Sequence, residues 1–167
     1  MSKPKYPSFL GSERELLENH LDHNRLTVRH KVEGLSLDLA TKRLADSPTS
    51  VLGIVKHLTE VEGWWFRHNF AGEDWQGSST DEFPDADFDI LPGESVESLL
   101  HQYDLACEIS REICAPHSLD DPAQRPHRTG SSPSLRWIYL HMIEEIARHN
   151  GHLDIYRELL DGTTDRD

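Results

Sequence analysis

The chain has 167 residues and a mass of 19.2 kDa, which is enough for one domain with its own hydrophobic core. No apolar run approaches the roughly 18–20 residues that a membrane-spanning helix needs, and a net charge of −13 disfavours contact with a phosphate backbone. Because the N-terminus also lacks the apolar core of a signal peptide, we expect a cytoplasmic protein with neither a membrane nor a nucleic-acid partner.

The N-terminal part of the sequence predicts an arm, a helix and a connector. Residues 1–11 contain two prolines and a glycine and are expected to form a flexible arm. Ser12 and Glu15 have the spacing of a capping box, which predicts a helix from Glu13 to about Glu33. Residues 35–50 then form a connector, with a helical turn expected near residues 39–44.

A second helix is predicted from about Ser50 to Phe70, because its apolar residues recur at helical spacing. His57 falls at the edge of that apolar face. The acidic segment 71–93 shows no period and is predicted to be a long loop, and such loops are usually functional or disordered. Trp75 within this loop has two interpretations, a lid or partner contact and a simple anchor of the loop.

Two further helices are predicted in the C-terminal half. Ser95 caps the first of them, which runs to about Cys114, and its apolar pattern indicates that Cys107 and Cys114 are reduced core residues and not nucleophiles. A second proline-rich loop, 115–133, precedes the last helix, which begins after Ser134 and ends at Gly162.

Four long helices without a credible strand predict an all-α fold, specifically an up-down four-helix bundle over residues 12–162. Residues 163–167 are then a polar tail. We expect the loops 71–93 and 115–133 to border the same pocket mouth. Trp64, Trp65 and Trp137 are assigned to that pocket, to a dimer face or to the core, with the core favoured for Trp65.

The last helix carries the most unusual pattern in the chain. His149 is the polar member of its apolar stripe, Glu145 lies one turn earlier, and His141 and His152 lie on the border of the same stripe. The other members of the stripe are Leu135, Ile138, Met142, Ile146, Leu153, Tyr156 and Leu160.

Ligation of a metal ion is the first interpretation of this pattern. Metal sites in helical bundles use inward side chains three or four residues apart, together with a partner from a facing helix. Glu145 with His149 and His149 with His152 both have that spacing, and His57 is the facing partner. A buried network of histidine and glutamate hydrogen bonds is the alternative. Imidazole and carboxylate suit zinc, nickel, iron or manganese, so the pattern does not select the metal.

Two segments of the sequence resemble the DinB-like superfamily, most closely its mini-circle type branch. They are Ser50–Phe66, SVLGIVKHLTEVEGWWF, and Ile143–Asp154, IEEIARHNGHLD. The resemblance extends from about residue 12 to residue 162. It implies a four-helix bundle, often dimeric, in which three residues hold a metal.

The resemblance implies that the metal ligands are His57, Glu145 and His149. Many members have histidine where this chain has Glu145, but the similar mycothiol-dependent maleylpyruvate isomerases also have glutamate there. His152 replaces a glutamine of the superfamily motif, and it is interpreted as a fourth ligand, a proton shuttle or a residue that supports the ligands.

The same resemblance implies a metal-dependent thiol S-transferase or isomerase, with zinc or nickel as the metal and a small thiol such as mycothiol as cosubstrate. The partners would be that thiol and a small electrophile, in a homodimer. His152 and His141 would be the acid–base residues, because an unperturbed imidazole titrates near neutral pH. The alternatives are a non-catalytic metal-binding scaffold and a metal-dependent hydrolase. Maleylpyruvate is not expected as the substrate, because the isomerases carry an additional C-terminal domain whereas this chain stops soon after its fourth helix.

Overall fold

The computed structural model describes residues 4–127 and 129–164, and this part of the chain is all-helical. An isolated bridge between Pro122 and Ser134 is its only β pairing, so the described residues contain no strand. The helices are α1 (Glu13–Val32), α2 (Leu37–Ala40), α3 (Val51–Glu62, continued by a π-helical segment, Gly63–Phe70), a 3₁₀ turn (Ala86–Phe88), α4 (Val96–Cys114) and α5 (Leu135–Asp161).

Serine caps begin every α-helix. Ser12, Ser50, Ser95 and Ser134 each accept a hydrogen bond from a backbone N–H of the first turn, as the sequence predicts for α1, α4 and α5. At the other end of α5, Gly162 adopts φ +76°, a conformation that glycine enters without strain. The predicted bounds of the four long helices are confirmed to within one or two residues.

Two local features differ from the sequence-based expectation. The helical turn in the connector lies at Leu37–Ala40, earlier than predicted, because the Ser36 side chain caps it. The second long helix changes from α to π hydrogen bonding at Gly63. The apolar pattern continues through this point, so periodicity alone does not reveal the change.

The helices do not alternate in direction, so the predicted up-down order is wrong. α1 and α5 run parallel, because Arg136 contacts Glu13 at 2.7 Å near their starts and Arg157 donates to the Lys31 carbonyl near their ends. α3 and α4 are likewise parallel to each other and opposite to the first pair. The segment 71–95 is long enough to run back along α3 to the end at which α3 begins. α4 can therefore start at that end and run parallel to α3.

A buried ion pair joins three of the helices. Arg25 of α1 donates to both carboxylate oxygens of Glu62 on α3, at 2.8 and 2.7 Å, and Ser110 of α4 donates to the same carboxylate at 2.8 Å. The two charged side chains are 5% and 0% exposed. Because both charges are shielded from water, each is stabilised mainly by its hydrogen bonds to the other.

No helix within the described residues is long and apolar enough to cross a membrane. Residues 4–11 contain no helix, which agrees with an N-terminal arm, whereas residues 1–3 and 165–167 of the predicted arm and tail lie outside the described residues. The division of the chain into arm, domain and tail stays a prediction.

Replacing Glu62 with alanine should lower the free energy of unfolding by about 3–5 kcal/mol, because the substitution removes the buried partner of the Arg25 guanidinium and leaves it only the partly exposed carboxylate of Asp22. Urea denaturation of the metal-free protein measures this. Arg43→Ala, which removes an exposed pair with Asp89, is the control and should cost about 0–1 kcal/mol. A loss below about 1 kcal/mol for Glu62→Ala would contradict the structural importance of the pair.

Candidate metal centre

Three side chains from two helices converge on one point. His57 comes from α3, whereas Glu145 and His149 lie one turn apart on α5. The Nε2 atoms of both histidines contact the same carboxylate oxygen, Glu145 Oε1, at 3.4 Å for His57 and 3.2 Å for His149. One ligand atom from each side chain can be chosen so that all three lie within 4.8 Å of one another.

The antiparallel packing of α3 and α5 brings these residues together. Tyr156 near the end of α5 donates to the Thr49 carbonyl before α3, and Trp65 beyond His57 meets Trp137 near the start of α5. These contacts hold the register at both ends, so the middle of α3 faces the middle of α5. The three side chains are only 10–23% exposed.

Asp87 is a fourth member of the site that sequence reasoning missed. Its Oδ2 lies 2.6 Å from Nδ1 of His57, on the opposite side of the imidazole from Glu145. It comes from the 3₁₀ turn inside the segment 71–93, where several acids occur without any period. No local pattern distinguishes Asp87 from its acidic neighbours, and the sequence indicates only that this segment is either functional or disordered.

Gly53 explains how the 3₁₀ turn approaches α3 so closely. A Cβ atom at this position would lie 2.8 Å from the Phe88 carbonyl oxygen, a distance that packed atoms do not adopt. The missing side chain thus lets the turn dock, and the Phe88 ring stacks on His57 with centroids 4.4 Å apart. His57 is held on one face by Phe88 and at both nitrogens by carboxylates.

The charges of the site stabilise one another. Burial disfavours the charged form of His57, but the hydrogen bonds to Asp87 and Glu145 outweigh it and raise the pKa of His57 to about 9. Hydrogen bonds from His149 and His57 hold the pKa of Glu145 well below its usual range, against the effect of burial. Burial also opposes the charge on Asp87, yet the hydrogen bonds from His57 and Ser79 keep its pKa low.

This donor set fits a divalent transition metal. Two imidazoles and one carboxylate are three protein ligands, the number that leaves a coordination position open for a substrate. Asp87 would accept a hydrogen bond from Nδ1–H of His57 and so leave Nε2 to bind the metal. Carboxylates commonly orient metal-bound histidines in this way. His57 must lose a proton to bind, so metal affinity should rise with pH up to about 9.

The two predicted acid–base residues flank the three ligands. His141, one turn before Glu145, stacks on Trp137 and meets the edge of Trp65, and burial lowers the pKa of this imidazole. His152 contacts the His149 ring edge-on at 5.3 Å, and burial lowers its pKa as well. His152 is not a member of the compact ligand group.

A cleft of about 1050 Å³ reaches the site at His57 and Asp87. Trp64, Trp65 and Trp75 line it; Trp65 is also buried in the core, as predicted. Trp75 is an anchored part of the loop, because a Cβ at Gly63 would lie 2.4 Å from its ring. Trp137, 47% exposed, lies beside Trp65 and is not among the residues that line the cleft.

The two long loops meet at one end of the helices, but no described residue of 115–133 lines the cleft, so the expectation that both loops border one pocket mouth is not confirmed. Gln124 and Arg125 donate backbone hydrogen bonds to the carbonyls of Phe70 and Asn69, and the Arg125 side chain reaches the Gly72 carbonyl at 2.9 Å. This meeting follows from the observed direction of the helices, since strict alternation would place the exit of α3 and the entry of α5 at opposite ends.

Both cysteines are buried and free, which confirms their assignment to the core. Burial raises the pKa of the Cys114 thiol to about 12 and that of Cys107 still further. Neither thiol is therefore ionised near neutral pH, and a nucleophilic role for them has no support.

The model of the mycothiol-S-transferase family matches residues 16–162 of the chain, a range that contains every residue of the site. No curated protein gives a significant match.

Replacing Asp87 with asparagine should weaken zinc binding about 10–100-fold, because the amide no longer holds the His57 imidazole as a carboxylate does. Competition with a chelator of known affinity at pH 8 measures the change. The wild type should release about one proton from His57 on binding, and the variant fewer, since the pKa of His57 falls once the negative charge is removed.

Asp85→Asn, an exposed change two residues earlier, is the control for that experiment and should keep both the affinity and the proton count. Equal affinity and equal proton release in Asp87→Asn and the wild type would show that Asp87 does not support the metal ligand.

Proposed function

Because the chain belongs to the mycothiol-S-transferase family, we propose that it is a metal-dependent transferase that joins mycothiol to a small electrophile. One observation carries the proposal. His57, Glu145 and His149 place their ligand atoms within 4.8 Å of one another, beside a cleft large enough for a small molecule. We propose zinc or nickel as the metal, since the ligands are two imidazoles and a carboxylate.

A divalent metal held by His57, Glu145 and His149 would supply a Lewis acid that favours the thiolate form of the cosubstrate at neutral pH. The residues of the chain do the rest. Asp87 keeps the proton of His57 on Nδ1, and the docked Phe88 ring prevents that imidazole from turning. Glu145 contributes a negative charge that offsets part of the charge of the metal.

We assign the proton acceptor to His141. Burial lowers its pKa, so the imidazole is neutral near pH 7 and able to take the thiol proton. Its ring contacts Trp65, a wall of the cleft, and it lies one turn from Glu145 on α5. His152 is assigned a supporting role, because its ring packs on the ligand His149.

The remaining features of the proposal follow from the chemistry and the resemblance. A reduced thiol cosubstrate fits residence in the cytoplasm, where thiols are kept reduced. A four-helix bundle of the DinB-like type, as a homodimer, remains the proposed assembly, with the parallel pairs described above. A metal-binding scaffold or a hydrolase would keep the ligands without consuming thiol.

Replacing His149 with alanine should abolish stoichiometric zinc or nickel binding and reduce metal-dependent consumption of mycothiol to the uncatalysed rate, because two ligands cannot retain the metal. Elemental analysis of untagged protein and a thiol-depletion assay measure the two effects. His101→Ala, an exposed histidine of α4, is the control. Unchanged metal content in His149→Ala would remove the ligand set, whereas metal binding without thiol consumption by the wild type would favour the scaffold or the hydrolase.

Replacing His141 with glutamine should leave the metal content unchanged but lower kcat about 10²–10⁴-fold, the usual contribution of a general base. In the wild type, assayed with saturating metal, kcat/KM should fall as the pH drops below 6.5, because the His141 imidazole with its lowered pKa then becomes protonated. That acidic limb should disappear in the variant. An unchanged pH profile would assign the proton transfer to another group.

A further inference from the structure

The cleft beside the metal centre has aromatic walls. Trp64 and Trp65 come from the π-helical segment, and Trp75 comes from the loop that packs on this segment. Trp64 is 43% exposed and stacks on His68 with centroids 4.5 Å apart, so one broad aromatic surface faces the solvent side of the cleft. Such a surface favours flat or cationic ligands over aliphatic ones.

Acidic side chains outnumber cationic ones around the cleft, and Asp87 offsets the positive charge of His57. Four carboxylates line it, those of Glu60, Asp74, Asp81 and Asp87, and none of the described residues in its lining is a lysine or arginine. Glu60 accepts a hydrogen bond from the Ser78 backbone at 2.9 Å, and Asp87 is bound to His57. Asp74 and Asp81 are exposed, and their negative charges act on whatever enters.

The loop that carries these acids is built into the structure. Trp75 rests on the backbone of Gly63, and a Cβ at Gly77 would lie 2.5 Å from Glu60 Oε2. The Ser78 backbone N–H and hydroxyl both donate to Glu60. Close packing at Gly63 and Gly77 and the two hydrogen bonds to Glu60 thus fix the acidic side of the cleft opposite its tryptophan side.

From the aromatic walls and the excess of negative charge, we infer that the electrophile taken by this cleft is a cationic aromatic molecule and that anionic electrophiles are rejected. The inference rests on the proposed thiol transfer. In the reaction, the thiolate sulfur attacks the electrophilic carbon, the C–S bond forms, and the leaving group departs with its electron pair. The thiol proton passes to His141.

Three benzyl bromides of nearly equal size test the inference, with para substituents that are cationic (trimethylammonium), neutral (methyl ester) and anionic (carboxylate). The zinc-loaded protein is assayed with mycothiol, and kcat/KM for each is divided by its uncatalysed rate with the same thiol. The ratio should be at least about fivefold higher for the cation than for the anion, as expected for charges a few ångströms apart in water. Because the acids are exposed, the difference should shrink at high salt.

The double substitution Asp74→Asn with Asp81→Asn should reduce the preference for the cation over the anion. Glu82→Gln with Asp85→Asn is the matched control, since both residues are exposed on the same loop, carry the same charge and do not line the cleft. An equal loss of preference in the control would mean that net charge, and not the cleft, is responsible.

A binding measurement separates this inference from the proposed function. Quenching of tryptophan fluorescence by benzyltrimethylammonium and by phenylacetate, without thiol, should show tighter binding of the cation. Turnover without a charge preference overturns the inference and leaves the transferase intact. A protein that turns over none of the bromides but binds the cation more tightly retains the cleft and loses the transferase. Equal or tighter binding of phenylacetate overturns the inference irrespective of turnover.

Discussion

Glu145 is the residue on which the arrangement of the site depends. One of its carboxylate oxygens is shared by two imidazoles, from the same helix and from the facing one. A partly buried carboxylate is costly unless it is paired, so Glu145 favours the register of α3 and α5 in which both histidines reach it. The 3₁₀ turn completes the cluster through Asp87. The charge of Glu145 thus links two helices and, through His57, the 3₁₀ turn.

The protein contains a second buried carboxylate, Glu62, and the contrast between the two is informative. Glu62 and His57 lie five residues apart on α3, so they face different sides of it. The partner of Glu62 is Arg25, whose guanidinium does not lose its proton in proteins. The partners of Glu145 are imidazoles, which can release protons and receive a metal in exchange. The pair of Arg25 and Glu62 therefore keeps its charges, whereas at Glu145 a metal ion can replace the protons of the two imidazoles.

Much of the fold could be predicted from the sequence because its signals are local. The serine caps, the stop at Gly162 and the apolar periods define the four long helices. The separation of Glu145 and His149 is a property of one helix, and His57 is marked by its place at the edge of an apolar face. The resemblance adds the pairing of these residues across the two helices.

The unpredicted features that shape the site depend on contacts between distant segments. The direction of α4 cannot be read from residues 71–95, since a loop of that length can connect either end of the preceding helix. Asp87 is one acid among several without a period, and only its docking beside Gly53 gives it a role. The same holds for Trp75, which becomes a wall of the cleft because Gly63 lacks a side chain.

The parallel run of α3 and α4 has a consequence for how this protein can diverge. The chain must return from Phe70 to Ser95 along a helical rod of twelve α-helical and eight π-helical residues, a distance of roughly 30 Å. About ten extended residues would cover it, fewer than half of those present between the two helices. The surplus can be lengthened, shortened or resurfaced while the helices and the 3₁₀ turn that carries Asp87 stay in place. A change in this one connection would thus alter the cleft while the candidate metal centre stays the same.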